Sequence, residues 1–465
     1  MALPKKLFLL FLIIIIFLRV LPAQTLPGLV VGEIGIFGNK VTHKEIILRE
    51  LEFKTGDTIR DDRLAELVKQ SVKNLMNLPL FHFVTIDTGL ADNRGSVDFK
   101  IYLTERWYTW IWPVFEISDR NFNTWLKTGD LTRISYGMFL QRENFRGRLE
   151  KLHFKIKLGY QQEGMVLYEK PYLNRRKTLG AGLMFSIARQ RETGYITAED
   201  KLIFHRANEY LLHSADLAVF VRWRPDIHFS HTIQFRNNYL QASDTLLKLN
   251  PEYIADGNNP QKFTELSYLM KIDFRDQRAY PLNGFYTEVL LAQKGLFTAG
   301  EMNFTTGKMV FRGYRNLGRR FFLAGSFTGQ LISKTSLPYN LSQALGYRRD
   351  YVRGYEYYVI DGRNYWLTKI NLKYALIRPA VIKLKWPPTD RFNTIPYAVY
   401  AGAFIDAGKV GSSGETGSNS LPGTVLRGIG IGLDFVTYYD KVFRAEVSVN
   451  EMGETGFFLH FMAAI

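Results

Sequence analysis

From Trp107 to the C-terminus the chain alternates apolar and polar residues with a period of two, and this pattern constrains the fold more than any motif. Leu152, Phe154, Ile156, Leu158 and Tyr160 fall on one side of an extended strand, with His153, Lys155, Lys157 and Gly159 on the other. Ile370, Leu372 and Tyr374 alternate with Lys369, Asn371 and Lys373, and Ile382, Leu384 and Trp386 with Lys383 and Lys385. Phe443, Ala445, Val447 and Val449 alternate with Arg444, Glu446, Ser448 and Asn450. In a soluble sandwich the apolar face needs a second sheet to cover it. Here long charged side chains recur on the opposite face throughout, which fits lipid outside and water inside. Closure into a barrel satisfies every backbone donor and acceptor that lipid cannot. At about 10 residues per strand plus connections, the segment holds about sixteen antiparallel strands, and roughly fourteen or eighteen would also fit.

The N-terminus reads differently. Lys5 and Lys6 precede an apolar run from Leu7 to Leu18, followed by Arg19-Val20-Leu21-Pro22-Ala23-Gln24. A charged segment, a short apolar core and a small residue before a cut describe an export signal, expected over residues 1–23. The apolar run is too short to span a bilayer, which takes about 20 residues. Its removal, with Lys5, Lys6 and Arg19, lowers the formal charge from +16 to +13. A basic exported chain without a recognition motif does not point to nucleic acid; the charge suits a positive lumen and loops near anionic headgroups. With no cysteine, disulfides, cysteine-ligated zinc and a lipoprotein anchor are excluded.

Residues 29–106 form a small α+β unit. Val30 to Ile36 alternates as a strand and ends at Gly38-Asn39. Thr42 and Glu45 have capping-box spacing and predict the start of a helix with Ile46, Ile47, Leu48 and Leu51 on its apolar face. Leu64, Leu67, Val68, Val72 and Leu75 give a second helix, ended by Pro79. Strands are expected over Phe81–Asp87 and Ser96–Leu103. This β-α-α-β-β order, with Gly38-Asn39, Gly56-Asp57, the run Leu80 to Val84 and a closing Glu105, resembles a POTRA domain.

The barrel segment, residues 107–465, carries its own marks. Leu345-Gly346-Tyr347 leads to Val352-Arg353-Gly354-Tyr355, and Phe404-Ile405-Asp406-Ala407-Gly408 follows about fifty residues later. Glu143-Asn144-Phe145-Arg146-Gly147, Glu169-Lys170-Pro171-Tyr172, the Asp276 to Gly284 turn followed by Glu288, and Leu426 to Phe435 recur along it. Together these resemble the BamA-type family of outer-membrane assembly and translocation barrels, which includes the two-partner-secretion transporters. The resemblance implies that the Val352–Tyr355 loop folds into the lumen and that Arg353 meets Asp406, with Phe404 and Gly408 flanking it. It further implies a weak seam between first and last barrel strands, with Trp107–Ile111 and Phe457–Phe461 as candidates. The family often places a glutamate on the strand after the loop, where this chain has Leu372-Lys373-Tyr374. A three-member cluster is therefore not expected, and Glu356 is the substitute acceptor on offer. Family barrels frequently end in an aromatic; this one ends in Ile465, with Phe461 as the stand-in.

The resemblance implies an outer-membrane protein with its POTRA domain in the periplasm. Its partners would be unfolded outer-membrane or exported polypeptides, outer-membrane lipid and accessory assembly subunits. Insertion of other barrels and secretion of one dedicated partner both remain open; a passive or structural barrel and a lipid-handling barrel are the weaker alternatives. Catalysis is not expected. Gly428, Gly430 and Gly432 lack the third glycine of a dinucleotide loop at its proper spacing, and no helix follows them. On one face of a lumen-facing strand they would instead clear space for the Arg353 loop. His228 and His231, three apart on a strand, point to opposite faces and suit no shared metal. No nucleotide, metal or other cofactor is expected.

Overall fold

In the computed structural model the described residues are 28–91, 95–117, 134–255, 259–296, 302–384, 393–411, 418–437 and 441–463. The expected export signal, Lys385, Trp386 and Ile465 lie outside them.

The N-terminal unit contains strands β1 (Gly28–Phe37), β2 (Thr58–Arg60), β3 (Phe81–Ala91) and β4 (Ser96–Glu105). Helices α1 (Lys44–Leu48) and α2 (Asp61–Met76) complete it. The sheet order is β2-β1-β4-β3, with β1 and β4 parallel and the other two pairs antiparallel. Ile46, Ile47, Leu51 and Leu75 are buried, with Leu64, Leu67, Val68 and Val72 packed partly against them. The short edge strand β2, hidden between the helices in sequence, was not expected. Thr42 does not cap α1: His43 occupies that position, and no side chain bonds the helix end. The Thr42 hydroxyl instead lies 3.0 Å from the Tyr108 hydroxyl and accepts from Asn144 Nδ2 at 2.9 Å. Glu105 accepts from the backbone N–H groups of Val41 and Thr42.

The remaining strands are β5 (Thr109–Ile117), β6 (Ile134–Phe145), β7 (Glu150–Gly159), β8 (Gln161–Lys170) and β9 (Leu179–Gln190). A small hairpin, β10 (Glu192–Ala198) and β11 (Lys201–Arg206), is followed by β12 (Leu212–Trp223), β13 (Phe229–Ala242), helix α3 (Asp244–Leu249) and β14 (Gln261–Asp273). Next come β15 (Gly284–Lys294), β16 (Phe304–Gly318) and β17 (Phe321–Ile332), then the two short strands β18 (Gln343–Leu345) and β19 (Ile360–Asp361). The chain ends with β20 (Tyr365–Lys383), β21 (Thr394–Val410), β22 (Val425–Thr437), β23 (Lys441–Asn450) and β24 (Thr455–Ala463). Sixteen of these strands pair antiparallel in one sheet from β5 to β24, leaving out the β10–β11 and β18–β19 pairs.

Alternation assigns the two faces. Ile111, Phe154, Leu183, Val219, Ile233, Leu291, Ile431 and Phe457 are all exposed outward, an apolar belt with no protein over it. Arg444, Glu446, Ser448 and Asn450 turn inward and are buried or half-buried. Tyr160 departs from its expected face: β7 ends at Gly159, whose positive φ turns the chain, and Tyr160 is buried. Irregular register in β20 between Ala375 and Ala380 likewise brings both Val381 and Ile382 to the surface.

The N-terminal unit is seated on the barrel's turns. Tyr108 and Leu149 belong to its hydrophobic core, and the Tyr108 hydroxyl donates to the Leu80 carbonyl at 3.1 Å. The His43 N–H donates to the Gly147 carbonyl, and Asn77 exchanges hydrogen bonds with Asp276 and Arg278. Three of the sequence marks, Asn144–Gly147, Tyr172 and the Asp276 turn, therefore meet at this junction.

Candidate functional site

Between β17 and β20 the chain turns back into the barrel from the end remote from the N-terminal unit. Gly346 and Gly354 take positive φ, which permits the tight reversal. The Gly346 N–H donates to the Asp350 carbonyl, and Asp350 accepts from Lys308 Nζ at 2.5 Å and the Tyr365 hydroxyl at 2.9 Å. Val352 and Tyr355 are buried with Leu345, Leu367, Val410 and Leu426, so the loop brings its own apolar core.

Arg353, 4% exposed, projects from this loop into the wall. Its Nε and Nη2 donate to the two oxygens of Asp406 at 2.8 and 2.6 Å, and its backbone N–H adds a third bond at 3.1 Å. Nη1 donates to Glu446 Oε1 at 3.0 Å, and the guanidinium lies 3.5 Å from the centre of the Phe404 ring. The fork geometry of arginine explains the residue choice: two carboxylates and an aromatic face are engaged at once. The three glycines of β22 make the fit possible. A Cβ on Gly428 would lie 1.8 Å from the Arg353 carbonyl oxygen, and one on Gly430 would strike the Phe404 ring at 2.5 Å. Gly408 faces Val352, 2.9 Å from where its Cβ would be.

Two expectations are corrected. Glu356 does not accept from the Arg353 guanidinium; its carboxylate turns back to the Gly354 N–H at 2.7 Å. The cluster does have a third member, Glu446 on β23, which sequence reasoning did not single out. Lys373 occupies the strand position where a glutamate was looked for, and it pairs with Asp434 at 3.3 Å. The available signal was an acid on the polar face of the strand adjoining the glycine strand: Glu446 stands directly opposite Gly432.

Glu446 also lies 3.3 Å from His460 on β24, whose ring stacks on Tyr351 of the loop. Phe458 of the same strand meets Tyr357. The loop thus touches the last barrel strand directly. Among the described residues no backbone ladder joins β24 to β5, the two ends of the sheet. Phe457 and Ile111 face outward from these two strands, Phe461 pairs along the β23 side, and Trp107 precedes β5 rather than lying in it. Lys441 approaches the Trp112 ring across the gap, 5.9 Å from its centre.

At the junction, Glu50 is held by Arg224 (2.8 and 3.0 Å) and Arg49 (2.7 Å), with the Tyr172 hydroxyl at 3.4 Å. Burial raises the Glu50 carboxyl, but Arg224 and Arg49 outweigh it and hold the group below the usual carboxylate range.

Residues 29–106 match the POTRA family, described as surface antigen variable number repeat. No curated protein matches the chain. Among solved structures, BamA from Haemophilus ducreyi lacking POTRA domains 1–3 aligns with a TM-score of 0.51 at 13% identity, covering 93% of this chain and 84% of that one. CdiB from Escherichia coli aligns at 0.55 and 12% identity, covering 94% and 76%. CdiB from Acinetobacter baumannii aligns at 0.50 and 14%, covering 94% and 73%. Residues 29–106 thus belong to the POTRA family, and the chain that carries them has the sixteen-stranded barrel fold of BamA and CdiB.

Proposed function

We propose that this protein is an outer-membrane assembly factor that captures unfolded polypeptides with its periplasmic POTRA domain and inserts them through the β5–β24 seam, without catalysis or a nucleotide. The observation that carries this reading is the lumen loop locked by Arg353 to Asp406 and Glu446, with its neighbours resting on the last barrel strand. A passive pore needs neither an unpaired seam nor a client-binding arm. The outer edge of β3, solvent-exposed from Thr85 to Gly89 apart from half-buried Ile86, offers main-chain groups to an extended client, which would add as a further strand. The outward apolar belt supports residence in the membrane.

Secretion of one dedicated polypeptide is the second reading, supported by the equal likeness to CdiB. Liposomes containing the purified protein and an unfolded outer-membrane barrel separate the two. Faster client folding that requires residues 29–106 is expected for an insertase, with loss in Arg353→Ala if the loop takes part. No acceleration over empty liposomes overturns insertion and moves the assignment to dedicated secretion.

A further inference from the structure

The outward face of the barrel is notched near the end remote from the POTRA domain. Val289, Met309, Gly329, Trp366 and Lys409 are direct cross-strand neighbours in one row over β15, β16, β17, β20 and β21. Leu291, Gly307 and Leu331 form the next row toward the same end. All lie on the lipid-facing parity of their strands. Neither glycine has positive φ, so the backbone does not require them. Glycine weakens a strand and is expected where another molecule comes close. The gap over Gly307, bordered by the Phe327 ring that lies 3.2 Å from where a Gly329 Cβ would sit, opens an outward groove of 530 Å³ with almost wholly apolar walls, within the range of ligand sites, roughly 300–1,000 Å³.

Lys409 closes one end of that groove. It is half-buried on the lipid face, and among the described residues it has no ion-pair or hydrogen-bond partner, unlike the inward-facing Lys308, Lys369 and Lys373. A lysine whose aliphatic stem runs along an apolar wall can carry its ammonium out to the membrane boundary, the snorkelling arrangement. The chemistry of the groove therefore suits an acyl chain joined to an anion.

We infer that this groove binds a phosphorylated glycolipid of the lipid A class, one acyl chain lying over Gly307 and Gly329 and a phosphate on Lys409. The leaflet follows from topology: the groove is at the barrel end opposite the POTRA domain, which is the outer leaflet if that domain is periplasmic. The inference rests on the outer-membrane reading above and is independent of any client activity. A bound lipid at β15–β21 would brace the wall three to seven strands from β24, leaving β5 and β24 as the yielding side.

The full-length protein in nanodiscs of phosphatidylethanolamine, doped with hexa-acylated lipid A or with phosphatidylglycerol, provides the test. Native mass spectrometry after release counts the retained lipid. Wild type is expected to retain lipid A in preference to phosphatidylglycerol. Lys409→Ala should lower that retention about tenfold, the scale of one charge-assisted hydrogen bond, and Lys409→Arg should keep it. Gly307→Leu should abolish it by filling the groove; its added Cβ would meet only Leu291, at 3.7 Å, so the barrel has room to fold. Equal retention by wild type and both losing variants overturns the site. Equal or better retention of phosphatidylglycerol overturns the lipid A assignment. Client folding measured on the same samples separates this result from failure of the insertase reading, because neither readout depends on the other.

Discussion

Arg353 and Gly428 touch through an atom that glycine lacks: a Cβ at position 428 would lie 1.8 Å from the Arg353 carbonyl oxygen. The lumen loop is therefore seated by shape as well as by charge. Gly428→Val should push the loop out of its groove while leaving the barrel ladder intact, since an added side chain in a packed site costs about 1–3 kcal/mol. Limited proteolysis would read this as new cleavage between Gly346 and Val359. A loop as resistant as wild type would show that the wall yields instead.

Asp406 and Glu446 share Arg353 unequally. Asp406 takes three hydrogen bonds from it and Glu446 one. Asp406→Ala strips the buried guanidinium of its main counter-charge and should destabilise by about 3–5 kcal/mol. Glu446→Gln keeps an acceptor in place and should cost about 1–3 kcal/mol. The gel-shift temperature at which the folded barrel unfolds ranks the two. Replacing Arg353 by Met in the Asp406→Ala background should recover part of the loss; no recovery would mean that Asp406 matters for something other than Arg353.

Part of this arrangement was legible in the sequence: the family resemblance implied the Arg353–Asp406 pair, and period-2 alternation assigned the faces of the strands except at Tyr160 and at Val381–Ile382, where a turn and an irregular register break the period. The glycine triplet on β22 was visible as a cleared face. Glu446 was not, because cross-strand proximity depends on register, and register is set by turns that the sequence leaves loosely defined. Thr42 shows the converse failure. Its spacing to Glu45 is that of a capping box, yet the cap does not form: Tyr108 and Asn144, 66 and 102 residues away, claim its hydroxyl. Strand β2, three residues long, carries too little pattern to be read at all.

The junction carries a pH dependence whose sign follows from Glu50. Burial favours its neutral form, but Arg224 and Arg49 lower its carboxyl below the ordinary range. A group depressed on docking stabilises the docked state above its free value, and that stabilisation disappears as pH falls through the lowered one. POTRA docking should thus be firm at neutral pH and loosen in acid, below the usual carboxylate range near pH 4. Spin labels on α2 and on the Arg224 turn should show a distance distribution that broadens with acid in wild type. Glu50→Gln should already be broad at pH 7; a narrow, pH-independent distribution there would remove Glu50 from the clamp.

The two ends of the sheet should be its most labile ladders. β5 and β24 each pair on one side only among the described residues, whereas β14 is paired on both. Hydrogen exchange follows local opening, so peptides covering 109–117 and 455–463 should exchange well before 261–273. Equal protection at all three would mean that the seam is sealed.

Asp200 joins loops at the end of the barrel remote from the POTRA domain. It sits at the tip of the β10–β11 hairpin, and its carboxylate accepts from the Ser420 N–H, the Ser420 hydroxyl and the Leu421 N–H at 2.8–3.1 Å. Its carbonyl accepts from the Val359 N–H, tying the hairpin to the lumen loop as well. The buried carboxylate thereby ties the hairpin to a segment about 220 residues further along the chain, and the backbone carbonyl ties it to the lumen loop. A buried acceptor serving three donors leaves all three unsatisfied when it is removed, at about 1–3 kcal/mol for each donor that water does not reach. Asp200→Ala should therefore free the hairpin, and planar-bilayer recordings should show larger or more frequent openings than wild type. Asp200→Asn, which retains one carbonyl acceptor, should fall between them. Unchanged conductance in Asp200→Ala would place the barrier to ions deeper, at the Arg353 loop itself.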